Sequence, residues 1–178
     1  MTPVLERYAD LLLKWNERIN LTAASTRDDA MQHIEDCVAI VAHIPSAARS
    51  LVDVGSGGGL PAVVIAAMRP DVTVTAVEPI QKKHAFLRTA ARELGLANLQ
   101  PRAARVDEIE DAAFDVATSR ATFALDEWLR IGLRLVRPGG RVLGMEGRDA
   151  ITLPPGAERH AYQLGDKTRA IIVLDRST

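Results

Sequence analysis

A cluster of glycines follows a short apolar run near residue 55, and this stretch is the part of the sequence best suited to hold a ligand. Gly55, Gly57 and Gly59 stand directly after the run Leu-Val-Asp-Val. Glycine has no Cβ, so the backbone there can adopt positive φ and approach a bound molecule closely, while the helix that follows presents unpaired N–H groups. A dinucleotide fingerprint, G-x-G-x-x-G, would need glycine where the chain has Leu60. The loop therefore favours another kind of ligand, and the plainer alternative is a tight turn.

A second residue that could contact the same ligand ends the next apolar run. The β-branched segment 72–77 is followed by Glu78. In a parallel sheet the ends of neighbouring strands meet at one edge, so this carboxylate could accept hydrogen bonds from ribose hydroxyls. A glycine loop and a strand-end acid together suit an adenosine-containing cofactor. The alternative for Glu78 is a solvated surface side chain.

The composition limits the class of protein. A chain of 178 residues with 47% hydrophobic residues can form one domain with a substantial core. The formal net charge is −1, so RNA binding would need a local basic patch. Cys37 is the single cysteine, which excludes an internal disulfide, and no C-x-x-C metal pair is present. No signal peptide or bilayer-spanning run is evident, so we expect a cytoplasmic protein without a metal, acting as a monomer away from membranes.

The first 48 residues predict two helices that cover the rest of the chain. Apolar residues from Leu5 to Ile19 recur at helical spacing, and Trp15 lies among them as a core residue. Ser25 to Asp28 resembles a capping box before a second helix that Pro45 ends. We expect 1–48 to form an N-terminal helical cap on a single domain, 1–178.

From Ser50 onward, apolar strands alternate with helices. Strands are predicted at 51–54, 72–77, about 99–104, 114–119 and 141–145, and helices near 60–69, 79–95 and 123–136. Strands that are apolar throughout and separated by helices predict a doubly wound α/β fold, a mostly parallel sheet with helices on both faces. After a turn at 138–140, segments 157–164 and 169–174 predict a C-terminal antiparallel hairpin joined by residues 165–168.

Several motifs, in order along most of the chain, resemble one known family. They are the segment 12–22 (LLKWNERINLT), His33-Ile34-Glu35-Asp36, the loop 53–61 (DVGSGGGLP), Lys82-Lys83 with Phe86-Leu87, the turn 105–108 and the strand 114–121, which ends in Ser-Arg-Ala. These motifs are similar to those of the RsmG (GidB) methyltransferases, which transfer a methyl group from S-adenosylmethionine to N7 of a guanine in 16S ribosomal RNA. The glycine loop alone indicates only class I, Rossmann-like methyltransferases.

The resemblance implies a set of cofactor contacts. The loop residues Gly55, Ser56, Gly57, Gly59 and Leu60 would line S-adenosylmethionine together with Glu78, while Val106 and Asp107 would meet the adenine. Ordinary roles remain open, because Leu60 could be core and Asp107 could be a helix cap.

The substrate side is less sharply defined by the sequence. The resemblance implies that Arg120 contacts both the cofactor and the substrate, at the crevice beside a strand end, although a surface ion pair is the alternative. His33 and Asp36 lie three residues apart on one helical face and could orient the substrate or simply face solvent. Asn16 suits either helix termination or a substrate rim. Cys37 is expected to be a small buried side chain.

Two departures from the family pattern bear on function. Glu146-Gly147 stands where the family has Lys-Gly, which inverts a charge near the expected RNA side, and Arg148 could substitute in part. Asp107 replaces a longer glutamate. We therefore keep two alternatives to the 16S ribosomal RNA enzyme: a class I methyltransferase acting on a small molecule or protein, and a non-catalytic ribosome-binding protein.

Overall fold

The computed structural model describes residues 2–146 and 152–178. This part of the chain forms five helices and seven strands. In order they are α1 (Pro3–Asn16), α2 (Arg27–Val41), β1 (Ser50–Val54), α3 (Ala62–Met68), β2 (Thr73–Val77), α4 (Gln81–Leu94), β3 (Leu99–Arg102), a 3-10 turn (Val106–Glu108), β4 (Phe114–Ser119), α5 (Leu125–Leu135), β5 (Val136–Met145), β6 (Ala157–Leu164) and β7 (Lys167–Asp175).

The seven strands form one sheet in the order β3-β2-β1-β4-β5-β7-β6. The strands β1 to β5 run parallel to one another, and β7 runs antiparallel to both β5 and β6. The chain moves outward from β1 to one edge and then returns to the other side through β4, which places a crevice at the ends of β1 and β4. The predicted α/β fold with a C-terminal antiparallel hairpin is confirmed.

Helices cover both faces of the sheet, as predicted. Consecutive residues of β1 show the division, since Leu51 belongs to the apolar cluster under α1, α2, α3 and α4, whereas Val52 belongs to the cluster under α5. Both side chains are fully buried. The helices α1 and α2 thus share one core with the sheet, because their buried residues lie in the same cluster as Leu51.

Side-chain hydrogen bonds move the helix boundaries of the N-terminal cap. Asn16 ends α1 three residues before the predicted Ile19, because its Oδ1 accepts from Leu21 N and Thr22 N at 2.8 and 3.0 Å. The helix α2 begins one residue later than the predicted Ser25–Asp28 box. Its cap is Thr26, whose hydroxyl accepts from Asp29 N while the Asp29 carboxylate accepts from Thr26 N.

Two boundaries near the C-terminus also differ from the prediction. The strand β5 includes the predicted turn 138–140 as an irregular stretch, because Val136 pairs with Phe114 before the regular register resumes at Arg141. The backbone there is held by a hydrogen bond from Gly139 N to the carbonyl of Arg176. In the hairpin, β7 starts at Lys167, so its turn is two residues long rather than the predicted four.

Candidate functional site

An open cleft of about 1020 Å³ lies at the carboxyl ends of the parallel strands. Its floor on one side is the glycine loop after β1, and Glu78 at the end of β2 stands beside that loop. Its other side is formed by α2, by the segment after β4 and by the C-terminal hairpin. The lining residues with candidate functional roles are Gly55, Ser56, Gly57, Leu60, Glu78, Lys83, His33, Asp36, Arg120, Tyr162 and Arg169.

The glycine loop has the conformation that its sequence predicts. Gly55, Gly57 and Gly59 all have positive φ, at 74°, 53° and 87°. The N–H groups of Gly55 and Ser56 donate to the carbonyl of Val77 at 2.9 and 3.0 Å, which ties the loop to the end of β2. A Cβ at Gly55 would overlap the Thr122 side chain, whereas a Cβ at Gly57 would make only an ordinary van der Waals contact, with Gly55 O at 3.8 Å. The loop is therefore both fixed at its base and open toward the cleft.

Glu78 holds the glycine loop from the second strand. Its side chain is buried, and its two carboxylate oxygens accept from Gly57 N and Ile80 N, both at 2.9 Å. A carboxylate has about four acceptor positions, so each oxygen can still accept a further hydrogen bond from a ligand hydroxyl. The sequence predicted that Glu78 accepts hydrogen bonds from a ligand, but it did not reveal that Glu78 also holds the backbone of the loop.

A buried tyrosine from the cap helix supports the same loop. Tyr8 of α1 is fully buried, and its hydroxyl donates to the carbonyl of Gly58 at 2.5 Å. The apolar stripe of α1 explains a tyrosine at this position as core, and nothing local points to its hydroxyl. Only the general rule that a buried tyrosine hydroxyl usually forms a hydrogen bond could have indicated this contact from the sequence.

Asp53 is an ionisable group sealed beneath the loop. Its side chain is fully buried at the end of β1, and within residues 2–146 and 152–178 neither carboxylate oxygen has a hydrogen-bond partner. Burial raises the pKa of Asp53 to about 7, against the opposing influence of nearby Ser56, the Ala62 amide and Arg120. The carboxyl group thus holds a proton up to nearly neutral pH.

Arg120 joins three parts of the fold at the substrate side of the cleft. Its guanidinium donates to Asp36 of α2 at 3.2 Å, and the hydroxyl of Tyr162 on β6 donates to the other Asp36 oxygen at 2.6 Å. Asp36 is buried, so the ion pair is sheltered from solvent. The structure brings the predicted Arg120 and Asp36 together, and Tyr162 is the partner that the sequence did not reveal.

His33 lies one helical turn from Asp36 and also lines the cleft. Its Nδ1 is 3.0 Å from the hydroxyl oxygen of Thr22. Burial, and then the charge of Arg120, lower the pKa of His33, which favours a neutral ring at physiological pH.

Four predicted site residues are absent from the cleft lining found among the described residues. Gly59 faces the side chains of Val63, Tyr8 and Leu87 rather than the cleft, and Asn16 uses its amide to brace the chain after α1. Val106 and Asp107 form the 3-10 turn, where Asp107 is exposed. Their predicted contacts with cofactor or substrate stay predictions.

Cys37 is buried as expected, whereas Trp15, predicted as a core residue, is partly buried and packs against the core. Cys37 is fully buried, and burial raises the pKa of its thiol to about 12, so it is a core side chain. Trp15 packs edge-to-face on Phe86, with 5.6 Å between ring centroids.

The inverted charge at Glu146 is neutralised inside the protein. Glu146 is buried and receives two hydrogen bonds from the Arg159 guanidinium of β6, at 2.8 and 2.9 Å. Such a two-point pair is the strong form of an arginine–carboxylate contact. Gly147 and Arg148, the latter a predicted partial substitute for the family's lysine, lie outside the described residues.

The described residues contain no group of three or more His, Cys, Asp or Glu side chains that could hold a metal ion. Within the same residues, every helix is too short or too polar to cross a bilayer.

The sheet order, the glycine loop after β1 and the acid at the end of β2 define a class I, Rossmann-like methyltransferase fold. Many solved structures share this fold. Cofactor-bound Rv0187 from MTB superposes with a TM-score of 0.68 at 17% identity, covering 100% of this chain and 92% of that one. The S-adenosylmethionine-dependent methyltransferase SibL superposes with a TM-score of 0.62 at 16% identity, covering 97% of this chain and 74% of that one.

Sequence comparison then identifies the family. Residues 1–162 match the family described as GidB, rRNA small subunit methyltransferase G, and the chain belongs to it. The ribosomal RNA small subunit methyltransferase G of Bordetella pertussis is 36% identical, over 95% of this chain and 77% of its own length. That of Psychrobacter arcticus is 40% identical over 86% of this chain, which spans 62% of the relative's length.

Proposed function

We propose that this protein is an S-adenosylmethionine-dependent methyltransferase that methylates N7 of a guanine in the 16S ribosomal RNA of the small subunit. The observation that carries the proposal is the two-sided cleft. One side offers a backbone cradle and a buried carboxylate, and the other offers the sheltered guanidinium of Arg120. Membership of the GidB family supplies the choice of RNA as methyl acceptor.

The cradle fits S-adenosylmethionine in shape and in chemistry. The side of Gly57 where a Cβ would stand is uncrowded, and the Glu78 oxygens keep acceptor capacity for ribose hydroxyls. We expect Gly55, Ser56, Gly57 and Leu60 to line the cofactor, and the family resemblance adds Gly59, Val106 and Asp107. When bound, S-adenosylmethionine supplies an electrophilic methyl group on a positively charged sulfur.

The protein has little proton chemistry to perform. N7 of guanine carries an in-plane lone pair and no proton, so no general base is required to create the nucleophile. The residues of the cleft act instead by positioning, because catalysis of this kind depends on aligning the reacting atoms about 3 to 3.5 Å apart and on excluding water. Glu78 and the loop fix one partner, while Arg120, held by Asp36, orients the other.

The charge at position 146 no longer favours a non-catalytic role. Because Glu146 is paired with Arg159, it does not present a free negative charge to an RNA substrate.

A class I methyltransferase acting on a small molecule or protein stays the second candidate, since the formal net charge of −1 gives no overall attraction to nucleic acid. We further propose that residues 1–178 act as one unit, as a monomer in the cytoplasm.

The test is methyl transfer from labelled S-adenosylmethionine to undermethylated small-subunit particles and to their stripped RNA. The modified base is identified by mass spectrometry, with the Gly57→Asp variant as the cofactor-binding control. Label in N7-methylguanine at a single site supports the proposal and shows which form of the substrate is used. Measurable cofactor binding without transfer to either substrate would refute it in favour of another methyl acceptor.

A further inference from the structure

Arg169 of β7 lines the cleft, and among the described residues the Nε of its side chain has no hydrogen-bond partner. That Nε is shielded from solvent, so its N–H donor is buried and makes no hydrogen bond to the described residues. Arginine keeps its charge at any physiological pH and has five N–H donors to satisfy. A buried donor left unpaired costs free energy, so an unpaired arginine in a cleft calls for an explanation.

The neighbouring arginines show that pairing is available in this region. Arg120 is bound to Asp36, and Arg159 is bound to Glu146 through two hydrogen bonds. The two buried carboxylates at this end of the cleft therefore each have an arginine already. Within residues 2–146 and 152–178, no salt bridge joins Arg169 to a carboxylate.

The position of Arg169 separates it from the glycine loop. It lies directly opposite Tyr162 in the hairpin register, and both residues line the cleft near His33. The strand β7 is the third strand from β1 in the sheet, which at about 4.8 Å per strand corresponds to roughly 14 Å. Arg169 therefore faces the end of the cleft away from the cofactor cradle.

We propose that Arg169 binds a phosphodiester group of the RNA substrate and fixes the backbone of the nucleotide strand at this end of the cleft. A guanidinium matches the phosphate group with two parallel hydrogen bonds, and Nε is one of the donors that such a contact uses. The proposal rests on the proposed function, since it assumes an RNA substrate, and it adds a specific contact from the C-terminal hairpin.

The salt dependence of RNA binding tests this contact directly. One phosphate contact contributes about 0.7 to 0.9 to the slope of log affinity against log salt concentration. We expect Arg169→Gln to lower that slope by about this amount and to weaken binding of the stripped small-subunit RNA about tenfold at 0.1 M salt. Arg169→Lys keeps the charge, so it should retain most of the slope while losing part of the affinity.

Two controls separate an RNA contact from other roles. Arg130→Gln removes an exposed arginine on α5, on the other face of the sheet, and should leave the slope unchanged. Calorimetry with S-adenosylmethionine should give the same affinity for wild type and Arg169→Gln within about twofold. Thermal unfolding should show that neither Arg169 variant loses stability, because no intramolecular hydrogen bond of the Nε is removed.

An unchanged slope in Arg169→Gln would overturn the assignment, and so would a fall in cofactor affinity, which would place Arg169 against the cofactor carboxylate. Failure of the proposed function gives a different result. In that case the wild-type protein itself shows no methyl transfer to RNA, whatever happens at Arg169.

Discussion

The hydroxyl of Tyr8 donates to the carbonyl of Gly58 at 2.5 Å and joins the first helix to the glycine loop across 50 residues of sequence. Both groups are buried, so the hydrogen bond is protected from competition with water. The N-terminal cap thus supports the cofactor cradle in addition to covering the sheet.

We predict that Tyr8→Phe weakens cofactor binding about fivefold and lowers stability by about 1 to 2 kcal/mol, since the Gly58 carbonyl is left buried without its donor. Calorimetry and urea unfolding measure the two effects. Tyr162→Phe is the matched control, because it also removes a tyrosine hydroxyl hydrogen bond, but from Asp36 at the other side of the cleft. Equal cofactor affinities for the two variants would contradict the role given to Tyr8.

Gly57→Asp should abolish measurable cofactor binding. The new carboxylate would stand beside Glu78, which accepts from the N–H of Gly57, and would occupy the open space of the cradle. Gly95→Asp is the control, because Gly95 also has positive φ and open space but lies at the end of α4. Both variants should lose about 1 kcal/mol of stability from the left-handed conformation. Cofactor binding that survives in Gly57→Asp would show that the loop is only a turn.

Local patterns were sufficient to predict the glycine loop and the place of Glu78. A β-branched run, a glycine cluster and a helix follow one another in sequence, so their geometry is determined by neighbouring residues. The hydrogen bond of Tyr8 could not be predicted, because its partner Gly58 is 50 residues away in the sequence. The place of Tyr8 on the apolar face of α1 also suffices to explain a buried tyrosine there. Asn16 was recognised as polar and placed at a rim, whereas its hydrogen bonds brace an irregular loop that has no periodic signal.

The substrate side was predictable only in part for a related reason. Asp36 and Arg120 were named, one from a helical face and one from a strand end. Their contact with Tyr162, and the proximity of Arg169, depend on how the C-terminal hairpin pairs with β5. Such long-range antiparallel pairing is set by the whole sheet rather than by the residues of the hairpin.

The buried Asp53 predicts a specific pH dependence. Its pKa is about 7 in the folded protein and near 3.8 when unfolded, so between these values the folded state binds more protons. Stability contributed by this group is therefore present below pH 4 and is lost as the pH rises toward 7, with a total on the order of 4 kcal/mol. Asp53→Asn carries no titrating group, so its stability relative to wild type should rise across this range. Urea unfolding at several pH values measures the difference, and a constant difference would show that Asp53 titrates normally.

The pair between Glu146 and Arg159 predicts the outcome of a charge exchange. Glu146→Lys places two cations together at the end of β5 and should lower the urea midpoint more than Glu146→Gln does. Arg159→Glu should also destabilise, because it brings a second carboxylate to the buried Glu146. The double variant Glu146→Lys with Arg159→Glu should recover part of the loss. If the double variant lost as much as the two single variants together, the pair would contribute no coupling.

Asp36 is expected to act on the reaction through Arg120 rather than through the substrate. Asp36→Asn keeps a side-chain oxygen for Tyr162 but removes the charge that holds the guanidinium, so Arg120 is freed to leave its position. We predict at least about tenfold lower kcat for methyl transfer with unchanged cofactor affinity. Arg120→Gln should lower kcat similarly, and the double variant should be no slower than the worse single variant, since both changes remove the same contact.

Glu35→Gln serves as the control, because it removes an exposed carboxylate from the same helix, and it should leave kcat unchanged. Additive losses in the double variant would show that Asp36 has a separate role at the substrate.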